Sequence, residues 1–239
     1  MRRLEQGLWV VCTLIIVGCA NRATVVDTPV ASPAPAPAAS RPAALPQVPP
    51  GEWIDLFDGK TLSDWRVLKE KAFFGHKDVR VENGAIVMER GQLQTGIGWD
   101  GEFPRNNYEV SLEAMRTEGS DFFCGMTFPV GDEPCTLIVG GWGGSVVGLS
   151  NVDNMAAAEN MTTNSMSFDN NRWYTIRLRV TSQKIEAWID DNQMIALERA
   201  NHTFDVWWEQ EAARPFGIAN WSTGSALRNI RLRRLANGS

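Results

Sequence analysis

Between residues 173 and 180 the chain reads Trp-Tyr-Thr-Ile-Arg-Leu-Arg-Val. Successive side chains of an extended chain point to opposite faces, so Tyr174, Ile176, Leu178 and Val180 share one side and Arg177 and Arg179 the other. Lys184 to Ile189 alternates in the same way, and Asp190-Asp191-Asn192-Gln193 then turns the chain into Met194 to Leu197, which predicts a hairpin. Tyr108 to Met115 sets Glu109, Ser111 and Glu113 on a polar face. Phe216 to Asn220 and Ala226 to Leu235 add two more strands, whereas Asn154 to Glu159 has room for one helical turn at most. About a dozen short strands without long helices predict an all-β fold: two antiparallel sheets packed as a jelly-roll sandwich.

Another apolar segment breaks this pattern. Leu8 to Gly18 is a largely apolar run of eleven residues behind Arg2 and Arg3, too short for a bilayer span and long enough for a signal-peptide core. It ends Ile16-Val17-Gly18-Cys19, similar to a bacterial lipobox, whose cysteine receives lipid after cleavage. Residues 1–19 are therefore expected to be a lipoprotein signal, and Ala20 points to the outer membrane, facing periplasm or exterior. Thr28 to Pro50 holds eight of the twelve prolines, so residues 20–50 are expected to form a semi-rigid linker ahead of a folded domain at 51–239.

Composition narrows the partners. A net charge of −5 without any Lys/Arg-rich run argues against nucleic-acid binding. Membrane contact is expected through the lipid anchor alone, and the domain is expected to be a monomer. Cys124 and Cys135 flank a Pro-Val-Gly-Asp turn and are expected to pair as a disulfide in an oxidising compartment, with two buried thiols as the alternative. Two cysteines without paired histidines close no zinc site. The acidic turns at Asp190-Asp191 and Asp153 could hold calcium but match no loop signature, so metal dependence stays open, with no metal site assigned and no cofactor expected.

Three segments resemble one family. Trp53-Ile-Asp-Leu-Phe-Asp-Gly-Lys-Thr-Leu-Ser-Asp-Trp65 is similar to the opening lFDGksLdgW of the 3-keto-disaccharide hydrolase family. Val81 to Val87 resembles its v.dG.l strand pair, and Leu227 to Leu235 its closing FRNIrik.L strand. The resemblance spans Gly51 to Leu235 and implies a concanavalin A-like jelly roll that cleaves 3-keto sugars. Two positions depart from it. The family's SGiffR strand falls on Ser120 to Met126, which lacks the arginine, and Leu227 replaces a phenylalanine.

Ordinary glycosidases use two carboxylates about 5–5.5 or 6.5–9.5 Å apart. Glu109 and Glu113, four apart on one strand face, would be separated by about 13 Å, whereas Glu209 and Glu211 would lie about 7 Å apart if extended. A 3-keto sugar asks for less. Its C3 carbonyl acidifies the C2 proton and makes the C1 oxygen a leaving group β to a carbonyl, so one base and one enolate-stabilising group suffice. The candidate bases are Glu209, Glu211 and His76, one of two histidines with His202. Candidate carbohydrate-binding residues are Trp207, Trp188 (a large ring sharing a polar face with Glu186) and Arg228, whose strand parity matches Ile230 and Leu232. Trp142 joins them. It stands in Val-Gly-Gly-Trp-Gly-Gly, where it is either a plate for a sugar ring or a plug in the sandwich end. An enzyme, a non-catalytic carbohydrate-binding module and a protein-binding sandwich all remain open at this level.

Overall fold

The computed structural model describes residues 44–236. The expected signal segment, Cys19 and most of the linker lie outside the described residues. In chain order the strands begin with β1 (Trp53–Asp55), β2 (Trp65–Val67), β3 (Val79–Glu82), β4 (Ala85–Met88) and β5 (Gln94–Trp99). The middle of the chain gives β6 (Tyr108–Glu118), β7 (Cys124–Val130), β8 (Glu133–Gly141), β9 (Val146–Ser150) and β10 (Asn164–Ser165). The last third gives β11 (Trp173–Val180), β12 (Lys184–Ile189), β13 (Asn192–Glu198), β14 (Gly217–Trp221) and β15 (Gly224–Arg234). Two short 3-10 turns, Lys71–Phe73 and Glu211–Ala213, complete the regular structure.

The strands form two antiparallel sheets. One runs β13-β12-β11-β6-β15-β4-β3, with β1 also paired to β15; the other runs β10-β9-β8-β7-β14-β5-β2. Alternation explains the space between them. Tyr174, Ile176, Leu178 and Val180 of β11 meet Met126, Phe128, Leu137 and Val139 of the opposite sheet in one buried cluster. The expected all-β sandwich is what the chain forms. Leu45, ahead of the expected boundary at Gly51, is also buried in this cluster.

The outward face of the eight-stranded sheet is held by charge and stacking. Register places Glu186, Arg179, Glu109, Arg233 and Trp53 side by side across five strands. Glu109 is fully buried there and accepts hydrogen bonds from Arg179 Nε and Arg233 Nη2, both at 3.0 Å, with Arg177 Nη1 at 3.7 Å. Arg177 stacks 4.1 Å from the ring of Trp188, and Arg233 lies 4.5 Å from that of Trp53. A buried carboxylate is tolerated because it is enclosed by guanidinium groups.

Two expectations are corrected here. Arg228 does not share the apolar face of Ile230 and Leu232, because β15 is bulged between Arg228 and Arg231, with Asn229 at a φ of 54°. One extra residue reverses the parity. Arg228 therefore faces outward, bound to Glu113 at 2.6 Å and stacked 4.1 Å from Trp173. Cys124 and Cys135 are free thiols, both buried. In the β7–β8 hairpin Cys135 faces Phe128 and Cys124 faces Val139. Four residues of strand separate the two positions by about 13 Å, beyond the roughly 7 Å that a disulfide spans between Cα atoms.

Candidate functional site

The seven-stranded sheet turns its second face away from the core, and that face is built from small residues. Register aligns Ala219 (β14), Gly125 (β7), Ile138 (β8) and Gly148 (β9) in one row. A Cβ on Gly125 would lie 2.8 Å from the Phe122 ring, and one on Gly148 would lie 2.7 Å from the carbonyl oxygen of Ala157. Glycine at both places lets Phe122 and Ala157 lie flat on the sheet, where they cluster with Ile138, Val146 and Trp221. Gly125 occupies the place at which the SGiffR pattern carries arginine. The ring of Phe122 fills the space above it.

Two loops raise walls around this floor. The β8–β9 turn carries Trp142 at a φ of 48°, with Gly140, Gly143 and Gly144 also left-handed. Asp121 ties the turn to the start of β7: its Oδ1 accepts the Phe122 N–H at 2.7 Å and its Oδ2 the Gly143 N–H at 3.5 Å. The second wall is the β13–β14 loop. Asn151 N–H donates to the Asp205 carbonyl at 2.7 Å, and Arg66 Nη2 donates to the carbonyls of Ala212 and Arg214 at 3.2 and 3.0 Å. Between these anchors, Gln210 N–H donates to the Trp207 carbonyl at 2.8 Å and bends Trp207 and Glu209 toward the sheet.

The result is a cleft of about 360 Å³ lined by Asp121, Phe122, Trp142, Trp207, Glu209 and Gln210, with Trp221, Ile138 and Ser150. Trp142 is 49% exposed, so it is not a core plug. Gln210 is 5% exposed and its Oε1 has no hydrogen-bond partner. A concave site with aromatic walls and a few polar groups is the usual form of a small-molecule site.

Of the residues singled out from sequence, the fold brings Trp142, Trp207 and Glu209 into this cleft. Glu211 lies in the 3-10 turn and its carboxylate accepts from Arg214 Nη1 at 2.7 Å. The segment is turned, not extended, so the spacing expected of a Glu209–Glu211 pair does not arise. His76 follows the first 3-10 turn, and its Nδ1–H donates to the Phe73 carbonyl at 2.8 Å; it does not line the cleft. Trp188 and Arg228 belong to the outward face of the other sheet, packed in the arginine–tryptophan stacks described above. Sequence reasoning missed the other lining residues, among them Asp121, Gln210 and Trp221. The acid at position 121, where the family pattern has glycine, was the available signal. Among the described residues no three His, Cys, Asp or Glu side chains converge as metal ligands.

Comparison with known proteins agrees with this architecture. A non-specific endo-β-1,3(4)-glucanase of family GH16 superposes with a TM-score of 0.54 at 10% identity, over 81% of this chain and 98% of its own. A laminarinase from Flavobacterium sp. UMI-01 gives 0.53 at 11%, over 78% and 100%. Crh5 transglycosylase gives 0.52 at 11%, over 80% and 90%. At such identities the likeness is one of fold. No curated protein sequence matches. The model of the 3-keto-alpha-glucoside-1,2-lyase-like domain matches residues 52–233, most of the chain, and the protein belongs to that family.

Proposed function

We propose that the protein is an exported, lipid-anchored carbohydrate-active enzyme that cleaves 3-keto-glycosides in the cleft between Trp142 and Trp207. The observation that carries this reading is the meeting of tryptophan faces with Glu209 and Asp121 in one open site. Tryptophan offers a flat apolar surface to the C–H face of a sugar ring. Glu209 is the proposed base. It takes the C2 proton, and the electron pair passes into an enolate on the C3 oxygen. Collapse of the enolate forms the C1–C2 double bond and breaks the C1–oxygen bond, and the proton passes from Glu209 to the departing oxygen. Water adding back at C1 completes the hydrolysis. Gln210 Oε1, an acceptor without a donor, can take a hydrogen bond from a sugar hydroxyl and orient the ring.

The test is incubation of the protein with 3-keto-glucosides and with the unoxidised glucosides, with product analysis. Turnover of the keto sugars alone is expected. Glu209→Gln should lower kcat by about 10²–10⁴-fold, the usual contribution of a general base, with little change in melting temperature. Binding of the keto sugars without turnover would leave a non-catalytic carbohydrate-binding module.

A further inference from the structure

The charge of the cleft is one-sided. Asp121 and Glu209 line it, and no lysine, arginine or histidine does. Arg116 lies beneath Gly144 but does not line the cleft; it is 6% exposed, donates to the neutral Asn170 Oδ1 and Phe168 carbonyl, and its Nη1 has no hydrogen-bond partner. Neither Asp121 nor Glu209 forms an ion pair among the described residues. The three tryptophan faces add to the effect, because the ring quadrupole attracts cations. The buried Gln210 Oε1 is a further acceptor without a donor. A net charge of −5 extends the same sign to long range.

We propose that this cleft selects glycosides by charge, with Asp121 as the residue that sets the selectivity. It binds amino sugars bearing an ammonium group in preference to neutral rings and rejects uronates. Lys or Arg would be needed to pair a carboxylate ligand, and the lining has neither. An ammonium group instead meets two carboxylates, an amide oxygen and indole faces. This selectivity rests on the reading of the cleft as the sugar site, and the neutral ligand below separates the two.

The experiment titrates the full chain at pH 6 with phenyl β-glucosaminide, phenyl β-glucoside and phenyl β-glucuronide, followed by tryptophan fluorescence. At that pH the amine of the glucosaminide is charged and the carboxyl group of the glucuronide is ionised. Affinity should fall in that order in steps of about five-fold, the upper range for an exposed charge pair, and the steps should shrink at high salt. Asp121→Asn should narrow the gap between glucosaminide and glucuronide, read as the ratio of the two affinities within the one folded variant. Asp121→Glu, which keeps the charge, should keep the order. Glucuronide binding as tightly as glucoside would overturn charge selection. An unchanged order in folded Asp121→Asn would overturn the role of Asp121. Failure of all three to bind while 3-keto-glucosides are turned over would overturn charge selection alone, and failure of the keto sugars as well would overturn the carbohydrate reading.

Discussion

Trp142 is held in a backbone conformation that a bulky residue rarely adopts. Its three left-handed glycine neighbours make the sharp turn possible, and the indole is left half in solvent. A strained, exposed aromatic at the rim of a cleft points to use by a ligand. Trp142→Ala should therefore weaken sugar binding by about 1–3 kcal/mol, by analogy with stacking of bases on aromatic rings, and leave melting nearly unchanged. A loss of about 3–5 kcal/mol of stability, the mark of a core aromatic, would contradict the exposed position. The cysteines make the opposite case. Burial pushes the Cys124 thiol up to about 12 and Cys135 higher still. Neither should react with alkylating agents in the native protein near neutral pH, and both should react after denaturation. The folded state holds these protons more tightly, so the thiols favour folding below the unfolded pKa near 8.5 and lose that contribution as pH rises through the interval up to about 12. A melting series from pH 8 to pH 11 measures it.

At the scale of elements, alternation was readable and irregularity was not. β11 runs over Trp173–Val180, as its pattern predicts, because one face is buried and the other carries arginine. β15 was misread at Arg228 because a bulge inserts one residue without a strong sequence mark, and Asn229 is the sole hint. The cysteines were misread for a related reason: the hairpin turn fixes register, and register places each cysteine opposite an apolar residue. The row through Glu109 gives a prediction at this scale. Glu109→Gln leaves Arg177, Arg179 and Arg233 facing one another around a neutral amide. Breaking one partner of a buried ionic cluster costs about 3–5 kcal/mol, which for a domain of this size lowers melting by roughly ten degrees. Glu113→Gln, at a position whose side chain is 26% exposed, should cost about 1 kcal/mol or less. Equal effects at the two positions would mean that burial, not pairing alone, has been misjudged.

For the whole molecule, the sandwich was legible in period-two patterning and the cleft only in part. Trp142 and Trp207 were each noticeable as tryptophans beside glycine or carboxylate, but they lie on different loops, and only the packing of the β13–β14 loop over the β7–β9 floor makes them walls of one site. Asp121 departs from the glycine of the family pattern and Gln210 carries no pattern of its own; the fold ties the first to the Trp142 turn and buries the second without a partner for its Oε1. The remaining question at this scale is where such a cleft works. The apolar run ending at Cys19, followed by the proline-rich stretch to Pro50, supports a domain held off a membrane by an acylated cysteine and a semi-rigid spacer. With a net charge of −5 the chain gains nothing from anionic lipid, so the acyl chains would supply the attachment. Cys19→Ser should then move the protein from the membrane fraction to the soluble fraction, with cleft activity per molecule unchanged because the substitution lies far from the catalytic domain in sequence. Membrane association that survives Cys19→Ser would refute the lipid anchor and leave the apolar run itself as the attachment.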